Sequence, residues 1–442
     1  MRSGKTQYRI YTLCSSCFLL FALVFSSCSV EKKISKQARQ NILNDNSFTA
    51  AHTGIALYDV AAGKYAYQYQ SNKYFVPASN TKLLACYAAM KYLGDSITAF
   101  QYIKDGDEYT VRFTADPTLL HPDFKQQPVV DFFKKNSGNI TIVSPSWQSR
   151  KYGSGWAWND YDADYMPERS AMPVYGNVVH FEKKGNNVIV IPKNFKDSLY
   201  LLADTRSSNV QIGRKENANI FELKKGKSAF AATDIPFITS NDLNVELLSD
   251  TLHQELTLTD AEVANGHWHS FKSQPTDSLL KIMMHRSDNF FAEQTLLMVS
   301  QQLLGVMSDA KVIDTLLKSD YASFPQKPRW ADGSGLSRYN LISPEDFVTL
   351  LAKMKNDFSW NRITGILQTG NEGTLTGLYK NYSGKIYAKT GTLNGVVALS
   401  GFITTNKGKQ YIFSVMVNAH QSSASNIRKG IEKFLSGVMD KY

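Results

Sequence analysis

Strand-forming patterns at both ends of the chain constrain its fold more than any other feature. "TGIALYDVAAGKYAYQYQ", Thr53 to Gln70, reads as two strands around a turn at Ala61–Gly63. Near the C-terminus come "GKIYAKTGT", "GVVALSGFITT", a turn at Asn406–Gly408 and "KQYIFSVMVN". If strands from opposite ends share one antiparallel sheet, the chain between them is an insertion into that fold. Helical spacing supplies a cover for the sheet. In "FVPASNTKLLACYAAMKYLG", Leu83, Leu84, Tyr87, Ala88 and Leu93 recur on helical intervals before Gly94. "DSLLKIMMHRSDNFFAEQTLLMVSQQLLG" predicts two apolar helices around a polar break at Ser287–Asn289, the second ending at Gly305. The last segment sets Ile427, Ile431, Phe434, Leu435 and Val438 on one helical face. Between residues 105 and 265, short β-type runs broken by Gly, Asn and Lys prevail, as in "NVVHFEKKGNNVIVIP". The expected class is α+β: an antiparallel sheet with helices, built from 28–104 and 266–442, interrupted by a mostly β region at 105–265.

The bulk numbers fit this plan. A chain of 442 residues holds two or three domains, or one with large insertions, and 43% hydrophobic with 20% charged residues is globular composition. The net charge is +10, spread thinly, with no arginine-rich run and no nucleic-acid fingerprint. Arg2, Lys5 and Arg9 precede "LCSSCFLLFALVFSSC", a short apolar core bounded by small residues. That is the anatomy of a secretory signal over residues 1–27. "VFSSC" resembles a bacterial lipobox, with Phe25 where that motif usually has leucine; it implies lipidation at Cys28 and a membrane anchor. A plain signal peptide cleaved nearby is the alternative. Cys14, Cys17 and Cys28 fall in the leader, so Cys86 alone remains in the body and no internal disulfide is possible there.

Ser79 and Lys82 open the first predicted helix. At i, i+3 their side chains share a face, and the helix N-terminus favours negative charge developing on the serine oxygen. A lysine acts as base only if burial or a neighbouring cation brings its pKa down from about 10.4. The pattern also occurs at Ser29–Lys32, Ser278–Lys281 and Ser308–Lys311, so alone it reads equally well as a helix cap. Ser287, Asp288 and Asn289 lie in the polar break, where side chains turn into a cleft. "KTGT", Lys389 to Thr392, occurs once, on a predicted strand, and Gly391 leaves room for a substrate backbone beside it. The tight pair His267 and His269 has no accompanying His-Glu-x-x-His helix and reads as structural.

These three elements, in chain order, form the trio of penicillin-binding proteins and serine β-lactamases. The chain resembles low-molecular-mass penicillin-binding proteins of the D-alanyl-D-alanine carboxypeptidase/endopeptidase type, the branch with a large insertion between the first two motifs. The resemblance extends through "VPASNTK", "ADPTLLHPDF", "GSGWAWNDYDADYMPERSAMPVYGNVV", "MMHRSDNFFAEQ" and "DGSGLSRYNLISP". It implies a penicillin-binding/serine β-lactamase-like domain acting on peptidoglycan stem peptides, acylated by β-lactams, with no cofactor or metal. It also implies that Ser79 is the nucleophile and Lys82 its base. Ser287 and Lys389 would relay a proton to the departing D-alanine, and Lys389 would help keep Lys82 neutral. Asn289 would bind the substrate amide, and Thr390 or Thr392 the terminal carboxylate; the N–H groups of Ser79 and Thr392 would hold the oxyanion. Two rivals are a β-lactamase of the same fold, although no Glu-x-x-Leu-Asn string is present, and a non-catalytic wall-binding or penicillin-sensing protein.

Overall fold

The computed structural model describes residues 31–136, 138–185, 187–202, 210–224, 232–261 and 266–442. The leader and Cys28 lie outside the described residues. Both chain ends meet in one six-stranded antiparallel sheet. Its order is Gln368–Thr369, Ile386–Leu393, Val396–Thr404, Gln410–Asn418, His52–Asp59, Lys64–Tyr69. The closure between the two ends runs from His52 opposite Asn418 to Asp59 opposite Tyr411. Gly63 and Gly408, at φ +64° and +79°, make the hairpin turns that only glycine enters without steric cost.

Both faces of this sheet are covered, so its central strands are buried almost throughout. Alternation still sorts their side chains. Ile55 and Leu57 face the C-terminal helix Ala424–Lys441, which contributes Ile427, Ile431, Phe434, Leu435 and Val438 to that side's core. Ala56, Ala398 and Met416 face the opposite core, which holds the helices Lys82–Tyr92, Thr276–His285, Asn289–Leu304 and Pro344–Asp357. Lys82–Tyr92 is buried at every position from Lys82 to Met90, as a central helix must be.

The intervening chain carries three further sheets. A five-stranded one has the order Thr257–Thr259, Asn139–Val143, Glu108–Phe113, Ser96–Asp105, His269–Pro275. Among the described residues two three-stranded ones have the orders Thr233–Pro236, Val178–Lys184, Asn187–Ile191 and Leu199–Leu202, Phe221–Lys224, Gln211–Arg214. The helices Pro128–Lys135 and Asn241–Leu252 share one core with these strands, so the region is less purely β than its texture suggests. Its strands also begin before residue 105. Ser96–Asp105 pairs with His269–Pro275, bringing Ser96 opposite Pro275. The sharp signal at residues 105–106 is the hairpin turn into Glu108–Phe113, with Gly106 at φ +57°, rather than a border. His269 lies against Tyr102 and Trp268 against Arg112, so this segment is packed on the β region.

Candidate active site

The segment before Ser79 is held rigidly. Phe75 exchanges both backbone hydrogen bonds with Ile342, and the Asn418 amide donates to the Val76 carbonyl and accepts its N–H. Ala78 then takes φ +47°, a left-handed conformation costly for a residue with a Cβ, and starts the 3₁₀ turn Ala78–Thr81. Asn80 anchors that turn to the sheet by donating to Ser400 Oγ at 2.7 Å. The α-helix begins at Lys82 without any side-chain cap, so the Ser79 hydroxyl is not consumed in capping.

Three distant pieces of chain converge here. Lys82 Nζ lies 2.9 Å from Ser79 Oγ, 2.7 Å from Asn289 Oδ1 and 2.7 Å from the Ser334 carbonyl. Lys389 Nζ lies 2.9 Å from Ser287 Oγ and 2.8 Å from the Thr390 carbonyl. Both lysines are fully buried, while Ser79, Ser287 and Asn289 are half-buried and face the cleft. The polar break does two jobs. Asp288 caps the Asn289–Leu304 helix through the Phe291 N–H, and Ser287, at φ +63°, turns out of the helical path toward Lys389.

Burial lowers the Lys82 pKa to about 8, against the pull of Asp288, Asp332 and Glu293. Burial first, and then the charge of Lys82, pushes Lys389 well below its ordinary value.

The sequence-predicted substrate-binding residues divide. Asn289 donates to the Tyr165 carbonyl at 3.0 Å. Thr390 shares a hydrogen bond with Thr374 at 2.5 Å, and Thr392 accepts from Arg428 at 2.7 Å. From Lys389 onward the outer edge of the Ile386–Leu393 strand pairs with no strand among the described residues, since its neighbour reaches only Tyr387 and Ala388. Gly391 meets a different constraint from the one expected. A Cβ there would come within 2.6 Å of the Pro77 carbonyl and 3.1 Å of Ser79 N, so its bareness seats the nucleophile's own turn. Gly335 does the same from the other side: a Cβ would lie 1.9 Å from the Ala78 carbonyl.

Sequence reasoning assigned no role to Ser334, Glu293, Tyr165, Thr374 or Arg428. One signal was available: Glu293 is an acid inside the apolar run "FFAEQTLLMV", where burial demands a partner. Among the described residues no group of three or more His, Cys, Asp or Glu side chains is placed to hold a metal. No described helix is long and apolar enough to cross a membrane.

Comparison with known proteins bears on the family and the fold. D-alanyl-D-alanine carboxypeptidase DacB of Haemophilus influenzae is 25% identical over 407 residues, covering 80% of this chain and 82% of that protein. The D-alanyl-D-alanine carboxypeptidase of Actinomadura sp. strain R39 is 24% identical, covering 87% and 80% respectively. The fold is that of penicillin binding protein 4 (dacB) from H. influenzae, at TM-score 0.72 and 19% identity over 92% of this chain and 99% of that one. The profile of the D-Ala-D-Ala carboxypeptidase 3 (S13) family matches residues 35–438, and the chain belongs to that family.

Proposed function

We propose that this protein is a serine-type D-Ala-D-Ala carboxypeptidase of the cell envelope, acting through an acyl-enzyme on Ser79. One observation carries the reading: of the three groups facing the Lys82 amine, only Ser79 has a proton to give. The Asn289 and Ser334 partners are carbonyl oxygens, which only accept. Neutral Lys82 donates its two N–H bonds to them, and its lone pair is left for the Ser79 hydroxyl. Its pKa of about 8 makes that neutral form accessible near physiological pH.

The reaction then follows in balanced steps. Ser79 passes its proton to Lys82 and attacks the carbonyl of the penultimate D-alanine. The Ser79 and Thr392 N–H groups are the oxyanion donors in this reading, each typically worth about 3 kcal/mol. Collapse breaks the C–N bond, and the departing D-alanine nitrogen takes a proton through Ser287, whose hydroxyl is restored by way of Lys389 with the proton that Lys82 took from Ser79. Water hydrolyses the ester. The open strand edge at Thr390–Thr392 suits an extended peptide, with the Arg428 cation beside Thr392 toward its terminal carboxylate. A β-lactam follows the same path to a stable adduct.

Accessory features belong to the same proposal. Residues 1–27 direct export, Cys28 carries a lipid anchor, and the enzyme works in the periplasm. The inserted region, expected at residues 105–265, is an accessory domain in this reading, and the pairing of Ser96–Asp105 with His269–Pro275 supports extending it on both flanks. A cleft of about 630 Å³ lined by Tyr165, Arg286, Ser287 and Asn289 runs between it and the catalytic part. Its size supports endopeptidase action on cross-linked stem peptides as a second activity. Release of D-alanine from a pentapeptide, absent in Ser79→Ala, tests the main reading. Mass analysis of products from cross-linked muropeptides tests the second.

A further inference from the structure

Arg169 comes from the region between the first two motifs, yet its guanidinium is enclosed beside the catalytic core. Its Nη2 lies 2.6 Å from Glu293 Oε2, and its Nη1 lies 2.7 Å from Asp309 Oδ2. The guanidinium stands 5.1 Å from the Trp156 ring centre. The other oxygen of Glu293 accepts the Ser334 N–H at 2.7 Å, and the Ser334 carbonyl accepts from Lys82 at 2.7 Å. A continuous path therefore runs Arg169, Glu293, Ser334, Lys82, Ser79. Trp156 braces the same loop by donating to Asp332, whose carboxylate also takes the N–H groups of Gly335 and Ser337.

We propose that Arg169 is a positioning residue for the catalytic base: by compensating Glu293 it fixes the Ser334 peptide, and so keeps the Lys82 lone pair on Ser79. The proposal rests on the Ser79–Lys82 reading above. Burial of Glu293 raises its pKa and the Arg169 cation opposes that, while Glu293 Oε1 accepts the Ser334 N–H. A carboxylate buried without its partner would take up a proton or distort the loop. Arg169 thereby reaches the chemistry through a buried ion pair, without touching the substrate itself.

Charge reversal on the pair provides the test. The groups facing Lys82 are Asp288 and Glu293 from the second-motif helix, Asp332 from the loop, and Lys389 from the strand; all but Glu293 stay in every variant. Second-order acylation by a fluorescent penicillin is measured from pH 6 to 10. Glu293→Gln keeps an acceptor for Ser334 and leaves Arg169 paired with Asp309 alone, so one negative charge fewer holds the proton on Lys82. Its alkaline limb should move down by about one pH unit. Arg169→Met should lose roughly tenfold or more in rate. Arg169→Met/Glu293→Gln, which restores the wild-type net charge of the cluster, should regain most of that rate and return the limb to its wild-type position. Should either core variant fail to fold, Asp309→Asn, at the rim of the cluster, makes the same test and should also move the limb down. Limbs that stay put in every folded variant, or a double variant no faster than Arg169→Met, overturn the proposal. Absence of acylation in the wild-type protein would instead sink the Ser79 reading itself.

Discussion

Ser79–Lys82 and Ser308–Lys311 are the same four-residue pattern at the start of a helix, and the molecule uses them for opposite purposes. Ser308 Oγ accepts the Lys311 N–H and so caps the Asp309–Lys318 helix, while the Lys311 side chain is exposed and reaches Gln148. At Ser79 the geometry is inverted. The helix starts without a side-chain cap, the hydroxyl stays free for the amine, and the lysine is fully buried. The chemistry therefore does not reside in the pattern. It arises from what covers the lysine: the strand bearing Lys389, the helix bearing Asn289 and the loop bearing Ser334.

Swapping probes between the two sites breaks this comparison or sharpens it. Ser79→Ala should lower D-alanine release and β-lactam acylation by at least about a thousandfold, and Ser308→Ala should leave both unchanged. Equal losses would mean that the two serines are not distinguished as described. Next in size is Lys389→Ala, expected to lower the acylation rate by roughly a hundredfold through loss of the second relay. A loss smaller than about tenfold would show that the second relay is dispensable.

Burial of Lys82 is linked to stability as well. Lys82 is lowered to about 8 in the folded state, so between that value and its ordinary pKa the unfolded chain binds more protons. Wild-type stability accordingly rises with pH across that window, and the cost of burying the ammonium is felt in full below it. The stability of Lys82→Met relative to wild type should therefore fall by roughly 3 kcal/mol between pH 7 and pH 10.5. Denaturant unfolding at the two pH values measures this. The smallest expected effect is the lost cap: Ser308→Ala should cost about 1 kcal/mol at any pH.

Much of this was legible in the sequence, and the missing parts share a physical cause. Local patterns marked the strands at both ends, the helix after Ser79 and the break at Ser287–Asn289, because backbone conformation is set largely by neighbours in sequence. Three motifs in order were enough to single out the side chains that converge around Ser79. The partners that tune them were not legible. Ser334 meets Lys82 across 252 residues and through a backbone carbonyl, which leaves no side-chain signature. Arg169 and Glu293 are ordinary surface residue types until the fold encloses them. Gly391 was correctly singled out as a position that excludes a side chain, but what fills the space is the Pro77 carbonyl, visible only in three dimensions. The partner of Ser96–Asp105 was not legible either, because His269–Pro275 lies far along the chain.

The central claim is that the Ser79 hydroxyl, armed by a buried neutral lysine, forms the acyl bond. Mass-spectrometric mapping of the peptide that retains penicillin after brief exposure at pH 8 tests it most directly. The expected result is a single adduct on the peptide containing Ser79, absent when Lys82 is replaced by methionine. An adduct on any other residue, or one that forms at the wild-type rate without Lys82, would contradict the account.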